Sequence, residues 1–158
     1  MKNKIVQYQE IENIGKFVPK GTKTVLVGGC FDLVHFAHHT FLKNAKNEGD
    51  FLIVLLESDE HIKRVKNRIP VHTQQERAEI LASLEYVDLV VMLPFFENDS
   101  QYKEIVTKIS PFVIAVTSGD NYIEKKKEYA DAVGGKVIEV ISLIPRFATS
   151  KIIENLSP

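Results

Sequence analysis

The stretch that decides the fold is Val25-Leu-Val-Gly-Gly-Cys-Phe-Asp-Leu-Val-His-Phe-Ala-His-His-Thr40, in which an apolar run stops at two glycines and is followed by paired histidines. A strand that turns through glycines into a helix makes a phosphate-binding site, because the first N–H groups of the helix are unpaired and its dipole is positive there. We expect Gly28 and Gly29 to adopt backbone angles that other residues avoid. His35 and His38 are three residues apart, so both imidazoles should face one side of the first helical turn. The stretch predicts two donors over one anion; an ordinary turn with surface histidines is the alternative.

The composition is that of an ordinary globular domain. The chain has 158 residues, 44% of them apolar and 26% charged, with a net charge of −1. We expect one domain over residues 1–158, with no nucleic-acid-binding surface. Cys30 is the one cysteine, which excludes an intramolecular disulfide or a cysteine-cluster metal site and agrees with a reducing compartment. No signal peptide or membrane-spanning run is recognisable, so the protein is expected in the cytoplasm, away from membranes.

Five predicted strands alternate with helices along the chain. The run 51–56, Phe-Leu-Ile-Val-Leu-Leu, is apolar without alternation, as in a parallel strand that is covered on both faces. This alternation implies right-handed crossovers and an α/β fold: a Rossmann-like, open, five-stranded parallel sheet with helices on both faces. The predicted strands are 24–27, 51–56, 87–93, 112–116 and 136–141, and the predicted helices are 9–18, one that ends near 47, a short one from 58, and 73–84, 98–110, 123–133 and 150–156.

Ligands of such a sheet bind beyond the carboxyl ends of the strands, so the loops that follow the strands should carry the chemistry. In this chain those loops are polar or contain glycine. The second loop leads into a basic cluster, which in the alternative interpretation is an ordinary solvated surface. The candidate residues are Asp32, His35 and His38 in the first loop, Lys63, Arg64, Lys66 and Arg68 in the second, Gly119 and Asp120 in the fourth, and Thr149 and Ser150 in the fifth.

Several motifs carry a resemblance to a known family. The segment Cys30-Phe-Asp-Leu-Val-His-Phe-Ala-His38 resembles the signature of the cytidylyltransferase-like nucleotidyltransferases, in which a Phe-Asp pair precedes His-x-Gly-His. The blocks 76–88, 119–120 and 147–153 are similar to successive blocks in the adenylyltransferase domain of the ADP-heptose synthesis enzymes. Glycerol-3-phosphate cytidylyltransferases share several of these blocks. The resemblance covers nearly the whole chain.

The chain also departs from the family pattern. Ala37 stands where the family has the glycine of His-x-Gly-His. The heptose group typically has Lys-Gly-Gly-Asp-Tyr where this chain has Thr117-Ser-Gly-Asp-Asn-Tyr122, and Phe-Ser-Thr-Thr where it has Phe147-Ala-Thr-Ser150. It also usually begins the first loop with Asn-Gly, against Gly28-Gly29 here. A lysine and a serine hydroxyl that could contact substrate are therefore absent, which bears on the preference for a heptose phosphate.

The resemblance implies transfer of a nucleoside monophosphate from ATP or CTP, with Mg²⁺, to a small phosphorylated acceptor, with release of pyrophosphate and no covalent enzyme intermediate. It assigns His35 and His38 to the triphosphate and transition state, and Lys66 to the basic-loop contact, with Lys63 and Arg64 as competitors. Asp32 would shape the first loop. His39, His61 and His72 are not expected to join the pair. The other nucleotide-binding candidates are Gly28, Gly29, Cys30, Phe31, Ala37, Gly119, Asp120, Ala148, Thr149 and Ser150. Asp120 would lie near the nucleoside or a metal. Arg77 and Arg146 are further candidates, and Arg77 could equally form a structural ion pair.

Three functions follow in order of preference. The first is transfer of AMP from ATP to a sugar phosphate similar to heptose 1-phosphate. The second is a CTP-dependent cytidylyltransferase that acts on glycerol 3-phosphate or another polyol or alcohol phosphate. The third, from another class, is a catalytically weak nucleotide-binding or regulatory protein, which the departures at Ala37, Thr117 and Ala148 motivate. We expect the protein to act as a homodimer.

Overall fold

The computed structural model describes residues 3–157. Within this range, six strands form one parallel sheet in the order β1-β4-β3-β2-β5-β6. The strands are β1 (Ile5–Gln7), β2 (Thr24–Gly29), β3 (Phe51–Leu56), β4 (Leu89–Met92), β5 (Val113–Thr117) and β6 (Lys136–Ile141). The helices are α1 (Phe36–Lys46), α2 (Asp59–Val65), α3 (Gln74–Ala82), α4 (Ser100–Ile109), α5 (Ile123–Asp131) and α6 (Thr149–Leu156), with 3-10 segments at Tyr8–Lys16 and Pro145–Phe147.

The sheet is covered on both faces, which explains the unbroken apolar run of β3. Successive side chains of a strand point to opposite faces. Accordingly, Ile53 and Leu55 belong to one buried apolar cluster. Leu52, Val54 and Leu56 belong to a second cluster on the other face of the sheet. The predicted fold class, an open parallel α/β sheet with helices on both faces, is confirmed.

Two details differ from the sequence prediction. The sheet has a sixth strand, because Ile5–Gln7 pairs in parallel with β4 at the edge, with Ile5 opposite Val90. Three residues are too few to show a strand pattern in the sequence. The predicted helix 9–18 is instead the 3-10 segment Tyr8–Lys16, which is interrupted at Asn13 by a non-helical backbone conformation. Its side chain at Ile11 is nevertheless buried, as the amphipathic pattern predicts.

A crevice opens at the carboxyl end of β2, where the strand order changes direction. β2 pairs with β3 along its whole length, from Thr24 to Gly29. Its pairing with β5 on the other side involves only Val25 and Leu26. The last residues of β2 therefore separate from β5, which leaves space at the switch point where ligands of open α/β sheets bind.

Among residues 3–157, none of the helices has the length and apolar character needed to cross a membrane.

Candidate active site

The turn after β2 differs from its sequence prediction. Gly28 and Gly29 are the last residues of the strand, and the left-handed backbone conformations belong to Phe31 (φ 47°) and Leu33 (φ 57°). Such conformations in non-glycine residues store strain and are concentrated at functional sites. A Cβ atom at Gly29 would lie 3.0 Å from the ring of Phe31, so a larger residue there would require the ring to shift. The glycine thus favours close packing and does not provide an unusual φ angle.

His35 and His38 lie together, as their spacing predicts. His35 is the N-cap residue of α1 and makes no side-chain cap hydrogen bond, so the first N–H groups of the helix remain available to a ligand. The two imidazole rings are stacked with their centroids 3.8 Å apart. Phe31 contacts His38 at a centroid distance of 5.2 Å, and Phe147 lies 6.1 Å from His35. The Nδ1 atoms of both histidines are buried without a hydrogen-bond partner among the described residues.

Burial disfavours the charged form of both histidines. Burial, together with the neighbouring His35, lowers the pKa of His38 to about 4. Burial alone lowers the pKa of His35. A neutral imidazole can still donate one hydrogen bond and accept another. The pair therefore offers an anion two imidazole groups, each of which can donate one hydrogen bond in its neutral form.

Asp32 connects the first loop, after β2, to the basic loop, which is the segment 66–73 between α2 and α3. Its side chain is fully buried. The carboxylate accepts hydrogen bonds from Arg68 Nη1 at 2.5 Å, from the Val71 N–H at 3.0 Å and from the His72 N–H at 3.1 Å. Burial favours the neutral acid, but these three bonds outweigh it and lower the pKa of Asp32. Thr149 Oγ1 also donates to the backbone oxygen of Asp32, which brings the start of α6 to the same place.

The basic residues after β3 separate into two groups. Lys66 and Arg68 line the larger of the two cavities at the site. The side chain of Lys66 has neither a hydrogen-bond nor a salt-bridge partner within residues 3–157, whereas that of Arg68 is held by Asp32. Lys63 and Arg64 are exposed and are not part of the lining. Arg64 pairs with Glu60 at 2.5 Å, so of the predicted competitors only Lys66 faces the cavity unpaired.

Arg77 is a structural residue in this arrangement. Its side chain is completely buried. The guanidinium group donates to the backbone oxygens of Cys30, Glu57 at 2.9 Å and His72 at 3.2 Å, and to Asp59 Oδ1 at 2.7 Å. These bonds connect the loops after β2 and β3 to α3. Of the two interpretations that the sequence allowed, the contacts support the structural ion pair.

The loops after β5 and β6 complete the crevice. Gly119 adopts a left-handed conformation (φ 80°), which glycine tolerates. Asp120 Oδ2 accepts a hydrogen bond from Lys126 at 2.7 Å, and its Oδ1 accepts the Tyr122 N–H at 2.8 Å. Arg146 stacks on the ring of Phe147, with its guanidinium carbon 4.7 Å from the ring centroid, and lies outside the lining of both cavities.

Two cavities meet at the glycine turn. The smaller, of about 260 Å³, lies between α1 and the loops after β5 and β6. The larger, of about 1030 Å³, extends over β3 toward α4 and α5. Ala37 and His35 face the smaller cavity, and Ala148, Thr149 and Ser150 face the larger. The shared wall consists of Gly28, Gly29, Cys30, Phe31, His38, Thr117, Asp120, Lys126 and Leu143.

Several residues of the larger cavity were missed by the sequence analysis. Glu57, Tyr102 and Lys126 line it and were not proposed as site residues. His61 also lines it, which contradicts the expectation that His61 stands apart from the site. Its position after a strand end was visible in the sequence, but only its failure to match the spacing of the histidine pair was considered. His39, by contrast, is exposed and pairs with Tyr86.

Within residues 3–157, no group of three or more His, Cys, Asp or Glu side chains is placed to hold a metal ion. Mg²⁺ is commonly bound by one or two carboxylates together with substrate phosphates and water. Asp120 is the one carboxylate among the residues that the structure describes on the shared wall, and it could hold an ion that arrives with a nucleotide by exchanging its bond to Lys126.

The class that this fold and crevice define is the Rossmann-like nucleotide-binding proteins. The cytidylyltransferase-like family model matches residues 26–157. A bifunctional protein HldE from a Nitratiruptor species is 37% identical over 96% of this chain and 32% of its own length. A bifunctional protein HldE from Citrifermentans bemidjiense is 39% identical over 87% of this chain and 28% of its own length. The chain thus spans about a third of these curated relatives.

The crystal structure of pantoate-beta-alanine ligase from Francisella tularensis superposes with a TM-score of 0.66 over 97% of this chain and 73% of that one, at 18% identity, which shows a common fold. The chain belongs to the cytidylyltransferase-like family of nucleotidyltransferases. The resemblance seen in the sequence motifs is confirmed.

Proposed function

We propose that the protein transfers AMP from ATP to a phosphorylated sugar of the heptose 1-phosphate kind, with release of pyrophosphate. The observation that carries this proposal is the junction of two cavities at the glycine turn, directly beside the stacked His35 and His38. Group transfer between two anions requires two adjoining sites with polar groups between them. The similarity to bifunctional HldE proteins supports ATP and a heptose phosphate as substrates.

The two cavities suit the two substrates. The smaller one, enclosed by Phe41, Ala115 and Phe147, is suited to a nucleoside. The shared wall would then hold the α-phosphate, and the larger cavity would take the remaining phosphates and the acceptor. An oxygen of the acceptor phosphate attacks the α-phosphorus in line. The bond from that phosphorus to the oxygen leading to the β-phosphate breaks, and its electron pair leaves with pyrophosphate.

The chain's own residues bind and stabilise the developing charge. His35 and His38 would donate to phosphate oxygens beside the free N–H groups of α1. Lys66 would hold the departing pyrophosphate, together with the first N–H groups of α6 at Thr149 and Ser150. Mg²⁺, when bound with the nucleotide, would supply charge neutralisation between the phosphates, with Asp120 as its nearest carboxylate on the shared wall.

The second candidate is transfer of CMP from CTP to a polyol phosphate such as glycerol 3-phosphate. The observation that favours it is Thr117, which lines both cavities where the heptose group typically has a lysine. A catalytically weak nucleotide-binding protein is the third. It is motivated by Ala37, which places a methyl group on the wall of the smaller cavity. We also propose that the protein is a cytoplasmic homodimer.

Pyrophosphate release separates the three candidates. The purified protein is supplied with Mg²⁺, with ATP or CTP, and with heptose 1-phosphate or glycerol 3-phosphate. We expect release with ATP and the heptose phosphate, and its loss in His38→Ala. His39→Ala is the matched control, because that exposed histidine pairs with Tyr86 outside both cavities. Calorimetric binding of ATP without pyrophosphate release from any acceptor would instead support the binding protein.

A further inference from the structure

The backbone of Glu57 is held at the wall of the larger cavity. Glu57 is the first residue after β3, and the whole residue is 8% exposed. Its N–H donates to the Gly29 oxygen at 3.0 Å, and its carbonyl oxygen accepts from Arg77 at 2.9 Å. The side chain is therefore anchored beside the glycine turn and lines the larger cavity. Its position is fixed before any ligand arrives.

One oxygen of the Glu57 carboxyl group accepts a hydrogen bond, and the other has no hydrogen-bond partner within residues 3–157. Tyr102 donates its hydroxyl hydrogen to Oε1 at 2.6 Å. Oε2 is buried and has no hydrogen-bond partner within residues 3–157. The ring nitrogen Nδ1 of His61 stands 3.3 Å from Oε2 in a geometry that makes no hydrogen bond. A buried carboxyl oxygen without a partner destabilises a protein, so it calls for an explanation.

A purely structural role does not explain this residue. A glutamine would accept the Tyr102 bond equally well without the cost of burying a charge. Burial raises the pKa of Glu57, which shows that the folded protein disfavours the charged form. A carboxyl group that costs stability, belongs to a residue of the cavity wall and has one oxygen without a partner is suited to a ligand that supplies the missing partner.

We propose that Glu57 determines acceptor specificity by accepting a hydrogen bond from a hydroxyl group of a sugar or polyol phosphate. This inference rests on the proposed function and adds that the acceptor must carry a hydroxyl group besides its phosphate. Tyr102 is a positioning residue, which holds the carboxyl group through Oε1, and His61 lies beside Oε2. The same cavity wall presents the unpaired Lys66 to the anionic end of the acceptor.

The surrounding charges favour a hydroxyl over an ammonium group. Arg77, Lys66 and Lys126 all act electrostatically on Glu57. An acceptor ammonium would add another cation among these three, whereas a hydroxyl adds no charge. A hydroxyl also pairs with a carboxyl group in either protonation state, because it both donates and accepts.

The experiment compares acceptors that carry hydroxyl groups with acceptors that carry none. The matched pair is glycerol 3-phosphate and propyl phosphate, which differ only in two hydroxyl groups; a second pair is heptose 1-phosphate and cyclohexyl phosphate, which lacks the ring oxygen and side chain as well as the hydroxyl groups. Each is tested on the parent protein, Glu57→Gln and Glu57→Leu, by pyrophosphate release with ATP and Mg²⁺. Glu60→Gln is the control, because that carboxylate lies on the outer side of α2, pairs with Arg64 and does not line the cavity.

We expect the substitutions to act only on the hydroxylated member of a pair. Its kcat/KM should fall roughly 10-fold in Glu57→Gln and roughly 100-fold in Glu57→Leu, mainly through KM, since a charged hydrogen bond is weakened and then removed. The hydroxyl-free member and Glu60→Gln should keep parent values. Equal loss with both members of a pair, or an unchanged preference in Glu57→Leu, would overturn the proposal.

A binding measurement keeps this inference separate from the proposed function. Calorimetry with a non-hydrolysable ATP analogue present measures acceptor affinity without turnover. Hydroxyl-dependent binding that is lost in Glu57→Leu would support the role of Glu57, even if no pyrophosphate is released and the transferase proposal fails. A parent protein that binds both members of each pair equally, or neither, would refute it.

Discussion

Asp32→Asn is expected to release the basic loop and to lower stability by about 2–4 kcal/mol. The carboxylate has two acceptor oxygens: Oδ2 accepts from Arg68 and the Val71 N–H, and Oδ1 accepts from the His72 N–H. An amide offers only one acceptor oxygen. A buried N–H left without an acceptor costs about 1–3 kcal/mol. Arg68 is 22% exposed and can turn to solvent, so the loss of its partner adds only about 1 kcal/mol.

The pH dependence has a definite sign. The pKa of Asp32 in the folded protein is below its ordinary value of 3.8, so its contribution is fully present above that pH and is lost as the pH falls through the folded pKa. The parent should therefore lose its advantage over Asp32→Asn only in strongly acidic solution. Burial lowers the pKa of His38 to about 4, and the charge of Asp32 partly opposes this shift, so acidification should destabilise Asp32→Asn through His38 somewhat more than the parent.

Urea unfolding of parent and variant from neutral to acidic pH measures both effects. Asp50→Asn is the matched control, because that carboxylate also accepts a backbone N–H, from Lys23, but on an exposed loop. A double-mutant cycle with Arg68→Met isolates the ion pair, with an expected coupling of about 0.5–3 kcal/mol. A loss below about 0.5 kcal/mol at neutral pH would refute the reasoning, because one orphaned N–H alone costs more.

Four further substitutions test the phosphate site. His38→Ala and His35→Ala should each fold normally and lower turnover about 10²- to 10³-fold, because each removes a fixed donor. Steady-state kinetics measures this loss, with His39→Ala as the control. Parent-like turnover in either variant would exclude the substituted histidine from the mechanism. Lys66→Ala should weaken ATP binding in calorimetry, and an unchanged affinity would mean that this lysine belongs to the solvated surface. Ala37→Gly should lower the unfolding free energy by up to about 1 kcal/mol with little gain in turnover, whereas a large gain would show that the methyl group obstructs the nucleotide.

The fold could be predicted wherever a local pattern has one physical meaning. The continuous apolar run of β3 can only be buried on both faces, and its strand bounds, 51–56, were predicted correctly. The predicted helix 73–84 contains α3, which begins at a capping box in which Thr73 and Glu76 make both hydrogen bonds. β1 was missed because a three-residue edge strand is stabilised by pairing with β4, which no local pattern encodes.

The site was predictable only to the extent that it follows strand ends. That rule placed His38 and Asp120 at the crevice, where the two cavities meet. It could not distinguish Lys66 from the neighbouring basic residues. The pair of Arg64 with Glu60 is local, but the ion pair that occupies Arg68 depends on Asp32, 36 residues earlier in the chain. Glu57 depends on Tyr102, 45 residues away, and was missed for the same reason.

Arg77 also has a consequence for the kinetics of assembly. Its guanidinium group joins the Cys30 oxygen, 47 residues earlier, to the Glu57 oxygen, 20 residues earlier. Neither loop has this buried partner until α3 has docked against the sheet, so a partly folded chain without α3 presents no finished crevice. Amide hydrogen exchange in the turn after β2 and in α3 should therefore occur in one cooperative opening event. Nucleotide affinity would then measure the docking of α3, and only chains in which α3 has docked would bind substrate.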